Sequence, residues 1–177
     1  GEIDTVVTVV NGNGIPKGEF DNDSNKNVAL RLARQWDKVR FGLFGYWGKE
    51  KAESGASDEI TYWGPDLQLR PGEKWELNLQ YLERSDDDPF FLGGGDPKIE
   101  TRGGFAELLF FPQGADSRWY LAGLYNKVDS DDPLAVIENG SLTVGYLAAR
   151  NVRILLEAGH DLERSESHAS LGVVAAF

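Results

Sequence analysis

The sequence predicts an all-β chain: an antiparallel, up-and-down transmembrane β-barrel with about ten strands in residues 1–177, either one barrel domain or the C-terminal portion of one. Three observations predict it. Period-two segments about ten residues long recur along the whole chain, and no helix-length segment shows a 3.6-residue apolar period. The connections between these segments alternate between tight turns and longer, acidic, glycine-rich loops. The aromatic residues collect at the two ends of the strands, with aliphatic residues between them.

The alternating segments are 3–12, 27–36, 39–49, 59–70, 74–84, 98–111, 117–128, 135–148, 152–163 and 168–177. Asp37-Lys38, Pro71-Gly72-Glu73, Pro112 to Asp116 and Ala149-Arg150-Asn151 carry the turn residues of tight hairpins. Gly12 to Asn25, Glu50 to Asp58, Ser85 to Pro97 and Asp129 to Pro133 are the longer connections, and Arg164 to Ser167 is a shorter one on the same side. A soluble sandwich has no reason to sort its connections this way. An outer-membrane barrel does: short turns face the periplasm, long loops face outside, and both chain ends fall on the short-turn side.

Taken in order, the first strand, Thr5-Val6-Val7-Thr8-Val9-Val10, does not say which face is which. The second carries Arg34 on its apolar face near the turn, where a long side chain snorkels to headgroups. In the third, Val39, Phe41, Leu43, Gly45 and Trp47 oppose Arg40, Gly42, Phe44, Tyr46 and Gly48. The fourth sets Trp63, Pro65, Leu67 and Leu69 against Tyr62, Gly64, Asp66, Gln68 and Arg70. The fifth is the clearest: Trp75, Leu77, Leu79 and Tyr81 alternate with Lys74, Glu76, Asn78, Gln80, Leu82 and Arg84. The sixth reads either way, and Ala106, Leu108 and Phe110 are placed outward because that puts Glu107 inside. The seventh sets Trp119, Leu121, Gly123 and Tyr125 against Arg118, Tyr120, Ala122, Leu124 and Asn126, and the ninth sets Val152, Ile154, Leu156 and Ala158 against Arg153, Leu155, Glu157, Gly159 and Asp161. The tenth puts Ala169, Leu171, Val173, Ala175 and Phe177 on one face.

Trp36, Trp75 and Trp119 sit beside short turns, and Trp47, Trp63, Tyr81 and Tyr125 near the long-loop ends. Two rings of amphipathic aromatics separated by aliphatics are what two membrane interfaces select. A soluble protein more often gathers its tryptophans in one core.

Composition excludes several classes. A charge of −11, from 18 basic and 29 acidic residues, argues against nucleic-acid binding, because phosphates would go unneutralised. The absence of cysteine removes disulfide scaffolds, thiolate metal sites and cysteine nucleophiles, and His160 and His168 are too few for a multi-histidine centre. Ser117, Ser141 and Ser170 lack a nucleophile-elbow context, and Asn11-Gly12-Asn13-Gly14 ends a strand rather than opening a helix. The expectation is therefore no enzyme and no cofactor. Asp21-Asn22-Asp23-Ser24-Asn25 begins like a calcium loop but lacks the glycine and the distal bidentate glutamate, leaving Asp21 and Asp23 as weak ligands.

Within the barrel reading, strand parity assigns Arg31, Arg40, Arg70, Arg84, Arg102, Arg118 and Arg153 to the lumen, with Asp66, Glu76, Glu100, Glu107, Glu157, Asp161 and Glu163. Bases and acids are equal in number, so no strong ion preference follows. In a wide pore such groups set selectivity, and in a narrow barrel they pair across the interior and plug it.

Val9-Val10-Asn11-Gly12-Asn13-Gly14, Asn25 to Leu32, and Thr101-Arg102-Gly103-Gly104-Phe105-Ala106-Glu107 resemble the later strands of Gram-negative porins of the phosphate-selective type. The terminal Phe177 resembles the carboxy-terminal signature read by the outer-membrane assembly machinery. The resemblance implies a barrel of about 16 strands with this chain as its C-terminal part. It further implies an integral outer-membrane location among lipid and lipopolysaccharide, with a homotrimer as one assembly. A complete ten-stranded barrel is the alternative, since an even strand number with both ends periplasmic is self-consistent. The expected function is a porin-like channel for passive diffusion of small hydrophilic or charged solutes. The alternatives are a closed, non-conducting surface barrel with a structural or adhesive role, and a soluble lipocalin-like binder. The phosphate preference of that family does not carry over to so balanced a lumen.

Overall fold

The alternation seen in the sequence becomes a single ladder of strands. In the computed structural model the described residues are 2–11, 25–52, 54–93 and 98–175. They form ten strands: β1 (Ile3–Asn11), β2 (Lys26–Trp36), β3 (Val39–Lys51), β4 (Ser57–Leu69), β5 (Trp75–Asp86), β6 (Ile99–Phe110), β7 (Trp119–Ser130), β8 (Ile137–Ala149), β9 (Val152–Asp161) and β10 (Glu166–Ala175). The only helical elements among the described residues are two 3-10 turns, Gly114–Asp116 and Pro133–Ala135.

All ten strands are antiparallel in one sheet, and each pairs with its neighbours in sequence from β1 to β10. Among the described residues every substantial contact between strands is between such neighbours, and no second sheet packs on either face. Among the described residues no ladder joins β1 to β10, and the side chains of β1 are exposed on both faces. The ladder loosens at two places. Between β4 and β5 no pair forms at Gly64 and Pro65, where Pro65 has no N–H to give. Between β8 and β9 a bulge falls between Leu147 and Ala149.

Turn chemistry closes the short connections. Arg70 N–H donates to Lys38 O (2.8 Å), stitching the first two tight turns together. At Gly114 the backbone takes φ 65°, a left-handed conformation suited to glycine, and Ser117 N–H returns to its carbonyl (3.0 Å). On the loop side, Asp88 organises the start of the connection after β5: its carboxylate accepts from Leu92 N and Gly93 N, each at 3.0 Å. Its own N–H donates to Asp58 Oδ1 (2.9 Å).

A single-layered sheet cannot have an ordinary core. Among the described residues the only apolar side chains that are buried are Ala33 and Ile60. Trp36, Trp47, Trp63, Trp75 and Trp119 are 44 to 52 % exposed.

Candidate functional site: the two faces of the sheet

Register decides which residues share a face. Leu69, Leu77 and Leu108 are paired in succession, as are Trp75, Phe110, Leu121 and Val144. These belong to an aromatic face. Gln68, Asn78, Glu107, Leu124 and Ser141 are paired in succession on the opposite, polar face. The ambiguous strands are thereby assigned. Ala106, Leu108 and Phe110 lie on the aromatic face, as expected, with Glu107 on the polar one. In β1, Ile3, Thr5, Val7 and Val9 share the aromatic face with Leu30, Leu32 and Arg34.

Three sequence assignments are corrected. Tyr81 pairs with Gly104 and Glu83 with Arg102, so Arg102 and Glu100 stand on the aromatic face, on the loop side of Tyr81. The pair Gly103-Gly104 offers no side-chain contrast from which parity could be read. Glu163 lies in the turn after β9, not on a strand. Sequence reasoning also missed Asp4, Glu50, Asp58 and Asp86 on the polar face. The signal for Asp86 was present, since it continues the parity of Glu76 to Arg84 by one more step. Phe177, Asp21 and Asp23 lie outside the described residues.

The polar face is tied together across strands. Arg31 reaches over Gly42 to Asp66 on β4, its Nη2 donating at 2.8 and 2.9 Å. Arg40 approaches Asp4 at 3.6 Å from two strands away. Glu76 accepts from Arg70 Nε (2.8 Å), from Gln68 Nε2 (2.9 Å) and from Asn78 Nδ2 (3.1 Å). Asn78 Nδ2 continues the row to Glu107 (2.9 Å). Arg84 chelates Asp86 with two hydrogen bonds and lies over the Tyr62 ring, 5.1 Å from its centroid. Arg153 lies 5.7 Å from the Tyr120 centroid. Arg118 precedes β7, level with Leu147 and Arg153 across β8 and β9. Glu157 accepts from Thr143 Oγ1 (2.9 Å) and stands 4.0 Å from His168. Asp161 caps the next turn, accepting from Glu163 N and Arg164 N.

The loop end of β2 and β3 is pinned by Asn27, the one fully buried side chain among the described residues. Its amide donates to Tyr46 Oη (2.6 Å), and its carbonyl accepts from Lys49 N (3.0 Å), extending the ladder with a side chain.

Apart from Thr5 and Arg34, which lies two residues inside Trp36, the polar groups of the aromatic face stand at or beyond its aromatics. Trp63 Nε1 and the Tyr81 hydroxyl both donate to Glu83, at 2.9 and 2.7 Å, and Arg102 approaches Glu83 at 3.5 Å. The Tyr125 hydroxyl donates to Glu138 (2.8 Å), which Lys127 also contacts (3.3 Å). Lys49 Nζ donates to Glu59 (2.6 Å), and that charged hydrogen bond holds the Glu59 carboxyl below its ordinary range. At the turn end, Trp75 stacks on Phe110 and Trp119 on Tyr146, each with centroids 4.4 Å apart. Arg34 lies 4.9 Å from the Trp36 ring.

The levels of these aromatics follow a pattern. Following the ladder from β2, Trp36 is level with Leu77, and Trp75 sits two residues nearer the turns; Trp119 sits two residues nearer again. At the loop end, Trp47 is level with Thr61, and Trp63, Tyr81 and Tyr125 each step two residues further down. Both rows slope the same way, by four residues over the five steps from β2 to β7 at the turn end and by six over the four steps from β3 to β7 at the loop end. With roughly 3.3 Å of rise per residue and about 4.8 Å between strands, those slopes correspond to strand tilts of about 30° and about 45°.

The histidines do not form a site. His160 is on the aromatic face with Ser167 (2.9 Å), and His168 is on the polar face. Among the described residues no group of three histidine, aspartate or glutamate side chains is placed to hold a metal ion. No family model, curated protein or solved structure matches the chain.

Proposed function

We propose that these ten strands are the wall of an outer-membrane β-barrel that acts as a porin-like channel for small hydrophilic solutes. The observation that carries the reading is the common direction of slope of the two aromatic rows. In strands tilted by roughly 30–45°, both rows become nearly level rings around the barrel axis, and transmembrane barrels tilt their strands by roughly 35–45°. The aliphatic band between the rings is six to eight residues deep, about 20–27 Å along the strand. It matches an apolar belt, and the polar tips of Trp63, Tyr81 and Tyr125 reach carboxylates on the loop side, where water resumes.

Curvature supports the same orientation. The ion pairs Arg31–Asp66 and Arg40–Asp4 join strands two apart on the polar face. The hydrogen bonds and ring contacts of the aromatic face stay within one strand or join adjacent ones. Side chains converge on the concave side of a curved sheet, so the polar face is the lumen. The open ladder at β1 and β10 is closed by further strands, as in a barrel of about 16, because a free edge exposes unpaired backbone groups that hydrocarbon cannot satisfy.

The closed, non-conducting barrel is the competing reading, favoured by the Gln68–Glu76–Asn78–Glu107 row, whose members satisfy one another. Purified full-length protein in planar bilayers separates the two. Discrete, ohmic current steps are expected of a porin; detergent-dependent insertion without current identifies the closed barrel. Recovery of native protein without detergent overturns both.

A further inference from the structure

A lumen wall that only conducts water and ions has no use for apolar side chains, yet on β3 to β6 the polar face divides along its length. The turn-side part carries Arg40 on β3, Gln68 and Asp66 on β4, Glu76, Asn78 and Gln80 on β5, and Glu107 on β6. The loop-side part carries Phe44 and Tyr46, then Tyr62 and Ile60, then Leu82, then Phe105, with Arg84 and Asp86 beside Tyr62 and Ile60 and with Glu50 and Asp58 beyond them. Val128 and Ile137 extend it across β7 and β8, where each is paired on the same face.

This apolar stretch contains a shallow cavity of about 470 Å³, floored by Leu82, Phe105, Val128 and Ile137 with the Tyr62 ring at one side. Its polar lining residues are Tyr62, Gln80, Arg84, Thr101, Asn126 and Asn139, and Thr101 Oγ1 is hydrogen-bonded to Ser130. Arg84 is already neutralised by Asp86. Asn126 donates to Asn139 (2.9 Å), which leaves the Asn126 amide oxygen and three amide N–H groups of that pair unused between themselves. Gln80 stands beside Leu82 at the boundary with the polar half. Apolar walls with a few convergent polar groups, at this volume, are the usual composition of a small-molecule site. An apolar patch on a water-facing wall points to a ligand rather than to solvent.

We propose that this stretch is a solute-binding subsite for neutral aromatic compounds that carry an amide or hydroxyl. The flat group lies on Leu82 and Phe105, and its polar group reaches the Asn126–Asn139 pair. The absence of an unneutralised charge at the cavity selects against anions, since Arg84 is already engaged by Asp86. The proposal rests on the channel reading, because it needs the polar face to be the lumen.

Benzamide is the probe, and the full-length protein in planar bilayers is the system. Wild-type current is expected to fall saturably with benzamide and not with xylose. Leu82→Gln with Phe105→Gln is expected to weaken the block about tenfold or more while single-channel current without benzamide is kept. Val128→Thr, nearly the same shape, is expected to weaken it by a smaller factor and covers the case in which the double variant does not insert. A conducting wild type that benzamide leaves untouched, or a block equal in wild type and variants, overturns the subsite. So does a variant whose benzamide-free current rises sharply, since the apolar stretch is then a seat for the barrel's own chain. A wild type that inserts but carries no current overturns the channel reading instead. Saturation-transfer NMR of benzamide against wild type and double variant then decides the subsite by the same loss of binding.

Discussion

On β5, adjacent residues live under different rules. Glu76, Asn78 and Gln80 face one way, and the first two are held by hydrogen bonds from three strands. Trp75, Leu77, Leu79 and Tyr81 face the other, where Leu77 pairs with Leu69 and Leu108, and Leu79 with Leu67 and Ala106. The polar face is stabilised internally, by side chains satisfying one another. On the aromatic face of β5 the internal contacts lie at the ends, where Trp75 meets Phe110 and Tyr81 meets Glu83. In the proposed reading the stretch between them faces an apolar medium, and that difference is what the strongest prediction breaks.

Leu77→Arg places a charge midway between the two aromatic rows. It is expected to cost about 2–4 kcal/mol of membrane stability. Urea titration of the protein folded into lipid vesicles, read by tryptophan fluorescence, checks it. The same substitution one face away, Gln80→Arg, is expected to leave the midpoint nearly unchanged. Equal losses at both positions would remove the distinction between the faces.

Asn27→Ala tests the polar face at its most enclosed point. The variant leaves Lys49 N without its acceptor and Tyr46 Oη without its donor, so a loss of about 1–3 kcal/mol is expected in the same titration. Asn27→Asp keeps the acceptor for Lys49 N but turns a donor into an acceptor against Tyr46; it is expected to fall between wild type and alanine.

Much of this division was legible beforehand. The strands begin and end within about two residues of where alternation puts them, because turn residues such as Pro71-Gly72 and Ala149-Arg150-Asn151 interrupt the period. Parity failed where side chains carry no contrast. On β6 the phase was not carried through Gly103-Gly104: Arg102 and Glu100 share the parity of Ala106 and Leu108 and belong with them, while the valines of β1 are apolar in both phases. Contacts between strands two apart were not legible at all. Arg31 meets Asp66 only because Gly42 between them has no side chain, and alternation along one strand says nothing about that.

Asp66→Asn is the next smaller effect. Arg31 and Asp66 remain partly solvated, so losing the carboxylate's charge costs about 0.5–1 kcal/mol. Its functional effect is the sharper readout. If the polar face is the proposed lumen, removing a negative charge and freeing Arg31 there is expected to shift the reversal potential in a salt gradient toward anion preference. No shift would place this pair away from the permeation path, whatever happens to stability.

The smallest effect belongs to Lys49–Glu59, beyond the aromatic row and open to water. Glu59 is held below its ordinary range by the Lys49 hydrogen bond, so its folded-state pKa lies under its unfolded one. The pair therefore contributes fully above the unfolded value, near 4.3, and its contribution is lost as pH falls through the folded value. Solvent and salt screen an exposed pair, so Lys49→Gln is expected to leave the neutral-pH urea midpoint within error. A clear loss at neutral pH that disappears in high salt would mean that Lys49 answers to more than Glu59. The aromatic face would then hold charge against something at its loop-side rim, and the boundary drawn there between apolar band and water would have to move.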